Sequence, residues 1–389
     1  MADICRIDET GKECIMKKTK VLIVAGAMDM GGLENQLMHL IRNADKTQFQ
    51  IDYTNTTETP FYKDEIETLG GRCVYIRGTE GVHFIRYCRA LKKIIKAGNY
   101  DVVHSHELFH SGLVMLTAKR VGVKGRIAHA HSSNQDYGHN YIRYFYDSVM
   151  RWLILHCGNM YLACSSVAAE FLYGKKIFDD PRYHLVVNSV DTQKFLAPFP
   201  ENTVNEFSKD GWKNVIQVGR FSVEKNYLFT CDIAKAFMDS GEKVRILCVG
   251  NNGEEYEKQV RQKIDELGIS DHMVLLGVRK DIDILMKKAD AFILPSIYEG
   301  MPLTLIEAQS SGLPCVVSDN FSHEVDFGVG MVQWLKLEDG AEHWAKALSN
   351  AVSSKRVDKE LIKTAISEKG FDSKSFAKKL CEYYRSFIV

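Results

Sequence analysis

The stretch Pro295-Ser-Ile-Tyr-Glu299-Gly300-Met301-Pro302-Leu303-Thr304-Leu-Ile-Glu307-Ala-Gln309 joins two kinds of chemistry. Gly300 and Pro302 mark a tight turn and a helix start, since proline suits the first helical position. The backbone N–H groups of Gly300, Met301, Leu303 and Thr304 point out of such a start. A helix N-terminus attracts anions, phosphate above all. Glu299 in the turn and Glu307 one to two turns into the helix cannot bind phosphate, but carboxylates accept hydrogen bonds from sugar hydroxyls. An anion-binding turn beside hydroxyl-binding acids suits a ligand with both parts, such as a sugar nucleotide. The same residues also suit a solvated turn with two surface acids.

A second candidate phosphate site is Gly219-Arg220-Phe-Ser-Val-Glu-Lys225-Asn226. Arg220 can fork onto a phosphate and Lys225 adds a point charge. It follows a β-like run, Asn214–Val218, just as the Glu299 turn follows Ala291–Leu294. Both turns therefore stand at carboxyl ends of strands in one sheet, which favours ligand binding over a solvated basic turn. Val278 and Arg279 follow the run Met273–Leu276, where backbone groups can read a nucleotide base.

Two His-x-His pairs, His104/His106 and His129/His131, end candidate strands near the start of the chain. Alternate strand residues share a face, so each pair can converge on one point. Metal binding, polar contact with a ligand and structural hydrogen bonding all fit such pairs. Metal is the least favoured, because no third ligand is spaced to join either pair. His131, followed by the polar Ser132, is best placed for ligand contact. Asp281-Ile-Asp283 has the look of a metal motif, but it opens a helical segment where acids simply favour the dipole.

The elements that must position these groups alternate. Lys20–Ala25 is a short β-rich run, followed by a loop containing Gly31 and Gly32 and by a helical pattern from Asn35. The glycines are not spaced GxGxxG, so a dinucleotide fingerprint is absent, although Gly31 and Gly32 allow close backbone approach to a ligand. Further strands are expected at 50–54, 72–76, 101–104, 126–130, 160–163 and 184–187, with helices between them. The rhythm breaks after Asp191, where Pro198 and Pro200 suggest a linker. It restarts with strands at 214–218, 243–249, 273–276, 289–294 and 314–318, and only helices follow from about 340. The reading is an α/β chain of two facing, doubly wound Rossmann-like domains, residues 19–195 and 205–372, with the ligand in an interdomain cleft at the strands' carboxyl ends. Residues 1–18 read as a disordered extension, and Met16 offers an alternative start.

Composition excludes several classes. At 389 residues the chain can build two cores. Lys+Arg and Asp+Glu balance at 50 each, so no general field attracts nucleic acid. Ten cysteines without CxxC spacing suit reduced thiols in a cytoplasm, not a disulfide framework or a zinc site. No apolar run reaches transmembrane length. The aromatic segment Tyr141–Leu155 and the basic segment Phe84–Lys96 could each lie on a membrane surface. For the first, a core-facing stripe is the expectation.

These residues resemble the retaining glycosyltransferases of family four, of the GT-B fold. Gly219-Arg-Phe-Ser-Val-Glu-Lys-Asn226 is similar to the family's phosphate-binding segment. Glu299 and Glu307 are similar to its two-glutamate motif. Asp101-Val-Val-His-Ser-His106 and Arg126-Ile-Ala-His-Ala-His-Ser132 resemble the branch that builds bacterial capsular polysaccharides and exopolysaccharides. The family often has Pro-Asn-Gly-Val-Asp before the linker, where this chain has Val187-Asn-Ser-Val-Asp191.

The resemblance implies that Arg220 and Lys225, with Gly219 beneath them, hold the donor diphosphate. It assigns ribose hydroxyls to Glu307, and donor-sugar hydroxyls to Glu299 with the backbone of Gly300, Met301, Pro302 and Leu303. Gly31 and Gly32 would lie against the donor. His131, with His106 and Ser132, would stand near the reacting sugar and the acceptor. A last helix, about 373–389, would cross back onto the first domain. The implied partners are a nucleotide-diphosphate sugar, UDP favoured, and a lipid-linked or saccharide acceptor. No cofactor or metal is expected, and the enzyme would be cytoplasmic or peripheral at the inner membrane face. A sugar-nucleotide epimerase or phosphorylase, or a non-catalytic nucleotide-sugar-binding module, shares the same features.

Overall fold

A computed structural model describes residues 5–7, 13–15, 17–26, 28, 32–76, 84–132, 141–198, 211–250 and 254–388. The chain forms two compact units: residues up to Asn188 together with Ser373 onward, and Ser189–Asp372. The chain crosses between them twice, and beside the crossings Val190 N–H donates to Phe371 C=O over 2.8 Å.

A short antiparallel ladder, β1 (Cys5–Ile7) with β2 (Glu13–Ile15), opens the chain. The first unit is then built on β3 (Thr19–Val24), β4 (Phe49–Asn55), β5 (Cys73–Tyr75), β6 (Val102–Ser105), β7 (Gly125–Ala130), β8 (Met160–Ala163) and β9 (Tyr183–Leu185). All seven are parallel, in the order β5-β4-β3-β6-β7-β8-β9. The helices in chain order are α1 (Gly32–Asn43), α2 (Lys63–Thr68), α3 (Phe84–Gly98), α4 (Ser111–Val121), α5 (Tyr141–Cys157) and α6 (Ser166–Tyr173). The second unit opens with α7 (Thr192–Leu196). Its sheet contains β10 (Lys213–Val218), β11 (Val244–Val249), β12 (Met273–Gly277), β13 (Ala291–Leu294), β14 (Cys315–Ser318) and β15 (Val332–Leu335), ordered β12-β11-β10-β13-β14-β15 and all parallel. Its other helices are α8 (Tyr227–Ser240), α9 (Glu254–Leu267), α10 (Ile282–Lys288), α11 (Leu303–Ser310), α12 (Ala341–Ser353) and α13 (Lys359–Lys369). Finally α14 (Ser373–Arg385) returns to the first unit.

Parallel strands are covered on both faces, so they read as unbroken apolar runs. Val21–Val24 and Ala291–Leu294 are fully buried. In both units the strand order reverses beside the first strand, and ligands bind at such switch points. In the first unit the reversal lies between β3 and β6, and in the second between β10 and β13. α14 completes the first core by inserting Phe376, Ala377, Leu380, Cys381 and Tyr384 beside Val21, Ile23 and Leu37. Cys157, Cys231, Cys248 and Cys315 are buried free thiols. No helix among the described residues is long and apolar enough to cross a membrane.

Four expectations need correction. The start of the chain is not wholly irregular, because Cys5–Ile7 and Glu13–Ile15 are β-forming segments that pair with each other. The first unit ends at Asn188, not 195, because α7 packs on α10 and α11 of the second unit. β15 escaped notice because it is a sheet edge: Gln333 faces solvent, so the apolar run is broken. The aromatic stripe of α5 is not core. Met150, Ile154 and Cys157 are buried, while Tyr141, Ile142, Phe145 and Trp152 are exposed. The helix is apolar nearly all round, and packing against α4 uses only one face.

Gly250 follows β11 directly beneath the Gly219 turn. A Cβ there would stand 1.8 Å from the Gly219 carbonyl oxygen, which is backbone and cannot swing away. Gly250→Ala should therefore destabilise the second unit by about 1–3 kcal/mol, read as a lower midpoint in a denaturant melt with an unchanged slope.

Candidate active site

At the β10/β13 switch point two turns meet. After β10, Gly219 leads through Arg220 and a single helical turn, Val223–Lys225, to Asn226, whose φ of 57° redirects the chain into α8. Asparagine tolerates that left-handed conformation better than most residues. After β13, the chain runs through Ser296 and Glu299 into α11. Ile297 N–H donates to Glu224 C=O over 2.8 Å and ties the turns together.

Their centre is an ion pair. Lys225 Nζ donates to Glu299 Oε1 over 2.5 Å, and the two side chains are only 14% and 13% exposed. Ser296 Oγ donates to the same carboxylate oxygen over 2.8 Å, and Ser318 Oγ in turn donates to Ser296 C=O. The stem of Lys225 lies against Gly219, where a Cβ would sit 3.1 Å from Lys225 Cε. Gln217, wholly buried in β10, donates to Lys225 C=O over 2.9 Å and accepts from Thr230 Oγ1 over 2.8 Å. Lysine and glutamate are thus held by packing on one side and hydrogen bonds on the other. Arg220 differs: its side chain is 68% exposed and only loosely paired with Glu224 at 3.9 Å. It is free to reach a ligand, while Lys225 is fixed.

α11 begins beside this pair, with Pro302 as its cap residue. Gly300 and Met301 have partners within the protein. The Thr304 hydroxyl is buried without a hydrogen-bond partner. Val278 and Arg279 lie after β12 in the same sheet. The Arg279 guanidinium is held by Asp281 through two hydrogen bonds of 2.8 and 2.7 Å. Asp283 pairs with Lys194 and Lys287, so the Asp281/Asp283 motif is salt-bridged and not a metal site.

The histidines of the first unit come together. His104 Nε2 lies 3.2 Å from His129 Nδ1, and His106 Nδ1 lies 2.8 Å from His131 Nε2. Tyr384 Oη on α14 lies 2.8 Å from His104 Nδ1. Burial pushes His104 and His131 down to about 3, and His106 and His129 well below the ordinary value, so all four rings are neutral at physiological pH. The expectation that neither pair finds a third ligand fails, because β6 and β7 are neighbours: His104, His106 and His129 place ring nitrogens within 4.8 Å of one another. Ser132 follows His131 and is half-buried. Gly32 opens α1, and Gly31 lies outside the described residues.

Sequence reading missed Gln217, Ser296, Ser318, Gly250, Lys194 and Tyr384. The only signal for Gln217 was a polar residue inside an apolar strand. Tyr384 lies 280 positions from His104 and carried none.

Glu307 on α11 keeps an edge open to solvent, but its carboxyl is desolvated, which pushes it up to about 7. Lys194 works against the rise and Asp283 adds to it. An unfolded glutamate ionises near 4.5. As pH climbs from there towards 7, the unfolded chain loses this proton first, and the native state is increasingly disfavoured. Glu307→Gln removes that cost. The ligand-free variant should melt above the wild type at about pH 8, with the gap closing by about pH 5, as measured by thermal denaturation across pH.

Residues 30–194 match the family described as Glycosyltransferase Family 4, and residues 199–368 match Glycosyl transferases group 1. The chain is 31% identical over 373 residues to EpsF of Bacillus subtilis (strain 168), a protein named as a glycosyltransferase, covering 94% of this chain and 96% of that one. It is 28% identical over 346 residues to the capsular polysaccharide biosynthesis glycosyltransferase CapH of Staphylococcus aureus, covering 87% and 92%. HepE of Anabaena, solved in complex with UDP and glucose, superposes with a TM-score of 0.75 at 16% identity, covering 95% and 100%. The two parallel sheets of seven and six strands with their helices match that architecture. The chain belongs to the family 4 glycosyltransferases and has the GT-B fold.

Proposed function

We propose that the chain moves a hexose or N-acetylhexosamine, with retention of configuration, from a UDP-sugar to a lipid-linked or saccharide acceptor in surface polysaccharide assembly. The Lys225–Glu299 pair at the β10/β13 switch point carries this reading, with Arg220 exposed beside it. The similarity to CapH and to HepE, with its bound UDP and glucose, supports it.

The acceptor oxygen forms a bond to the anomeric carbon as the bond from that carbon to the diphosphate breaks. The electron pair leaves with the diphosphate, and the acceptor's proton passes to a departing phosphate oxygen. Arg220, Lys225 and the α11 N-terminus stabilise the charge that builds there, so fixed protein groups serve where a metal otherwise would. Glu299, with the backbone from Gly300 to Leu303, holds the sugar hydroxyls and Glu307 the ribose. The backbone of Val278 and Arg279 meets the base. From the first unit, His106, His131 and Ser132 meet the acceptor.

A lipid-linked acceptor fits one more observation. Tyr141, Ile142, Phe145 and Trp152 are exposed on α5, with Phe84 and Ile85 at the start of α3. Phe84 stacks on Tyr146 with 5.7 Å between ring centroids, so the two helices present one apolar face. α3 adds exposed Arg86, Arg89, Lys92, Lys93 and Lys96 and no acid. Apolar side chains beside a helix that carries cations and no acid suit an anionic lipid surface, and this supports a peripheral seat at the inner membrane face as part of the proposal.

Arg220→Ala and Lys225→Ala should each lower kcat on a UDP-sugar by on the order of 10²–10³; unchanged turnover would remove their role. A thermal-shift screen of UDP-, GDP- and ADP-sugars should show its largest rise with a UDP-sugar. Incubation without acceptor tests the rivals. Epimer formation or phosphate-dependent cleavage would favour the epimerase or phosphorylase, and binding without transfer to any acceptor would favour the non-catalytic module. Phe145→Glu combined with Trp152→Glu should weaken flotation with phosphatidylglycerol vesicles at least about tenfold while leaving the melting temperature intact.

A further inference from the structure

The histidine stack of the first unit is more than a set of satisfied core side chains. The His104 and His129 rings lie parallel, 3° apart, and both are buried, as is His106. His104 Nδ1 is occupied by Tyr384 Oη and His106 Nδ1 by His131 Nε2, each at 2.8 Å. His104 Nε2 faces His129 Nδ1 at 3.2 Å, and the nitrogen left to His106 is Nε2. His106 Nε2 and His129 Nε2 are buried with no hydrogen-bond partner. One nitrogen from each of His104, His106 and His129 falls within 4.8 Å of the other two.

We propose that His104, His106 and His129 form a binding site for a borderline transition-metal ion of the zinc class. Three lines of chemistry converge on it. The 3.2 Å between His104 Nε2 and His129 Nδ1 is close to the ~3.3 Å edge between two ligands of tetrahedral zinc at 2.0–2.1 Å bond length. Ligating histidines characteristically carry an outer hydrogen bond on the second ring nitrogen, and here Tyr384 and His131 supply those bonds for two of the three. An all-nitrogen set with no carboxylate favours zinc, cobalt or nickel over magnesium or calcium. Three protein ligands leave a fourth position for water.

The site reaches the proposed acceptor machinery through one hydrogen bond. With a metal on His106 Nε2, the proton of that ring stays on Nδ1 and is donated to His131 Nε2. His131 then carries its own proton on Nδ1. The metal would fix the tautomer of the residue assigned to the acceptor.

The test reads metal, not turnover, so its outcome is separate from that of the glycosyltransfer reading. The full-length, untagged chain is stripped with chelator and dialysed against micromolar zinc or cobalt. The expected result is one equivalent by mass spectrometry of the ion, with visible cobalt bands of low coordination number. His129→Ala should abolish binding. Tyr384→Phe and His131→Ala, which remove outer partners only, should weaken it about 10–100-fold, so the site stays testable even if His129→Ala fails to fold. A wild-type chain that retains neither ion overturns the proposal, as does equal binding by the wild type and His129→Ala.

Discussion

The reversal of strand order between β10 and β13 is the constraint on which the proposed donor site rests. Loops leaving adjacent strands in opposite directions open a gap at the strands' carboxyl ends, and here Lys225 and Glu299 close it. Neither charge would be tolerable alone at that depth, since a buried ion without a partner shifts its equilibrium or unfolds its surroundings. Together they keep a cation and an acceptor poised side by side. On the function proposed above, a phosphate competes for an ammonium that is already oriented, and a sugar hydroxyl for a carboxylate already placed. Arg220, largely solvated, contributes the adaptable part.

The sequence disclosed this site well because its parts are local. Glycine, a basic pair and a helix start follow β10 within eight residues, and two acids flank the start of α11. The doubly wound rhythm was equally plain, because buried parallel strands leave uninterrupted apolar runs. What stayed hidden were long-range partners: Ser318 supporting Ser296, and Lys194 beside Glu307. Such contacts depend on strand order, which no short window of residues encodes.

The two misjudged segments share a cause. α5 is apolar on more faces than its neighbours can cover, so periodicity alone could not say which side is core. The histidine pairs were considered strand by strand, and each lacked a companion. Parallel pairing of β6 with β7 unites them, and α14 seals the assembly with Tyr384.

α14 has a consequence for the order in which the protein matures. The first unit needs Phe376, Leu380 and Tyr384 to fill its core, yet these residues leave the ribosome only after the whole of Ser189–Asp372 has been made. The second unit is continuous in sequence and can fold while translation proceeds. The first must wait as a sheet with one flank open and His104 without its tyrosine, so nascent chains stalled short of residue 373 carry a finished second unit attached to an unfinished first.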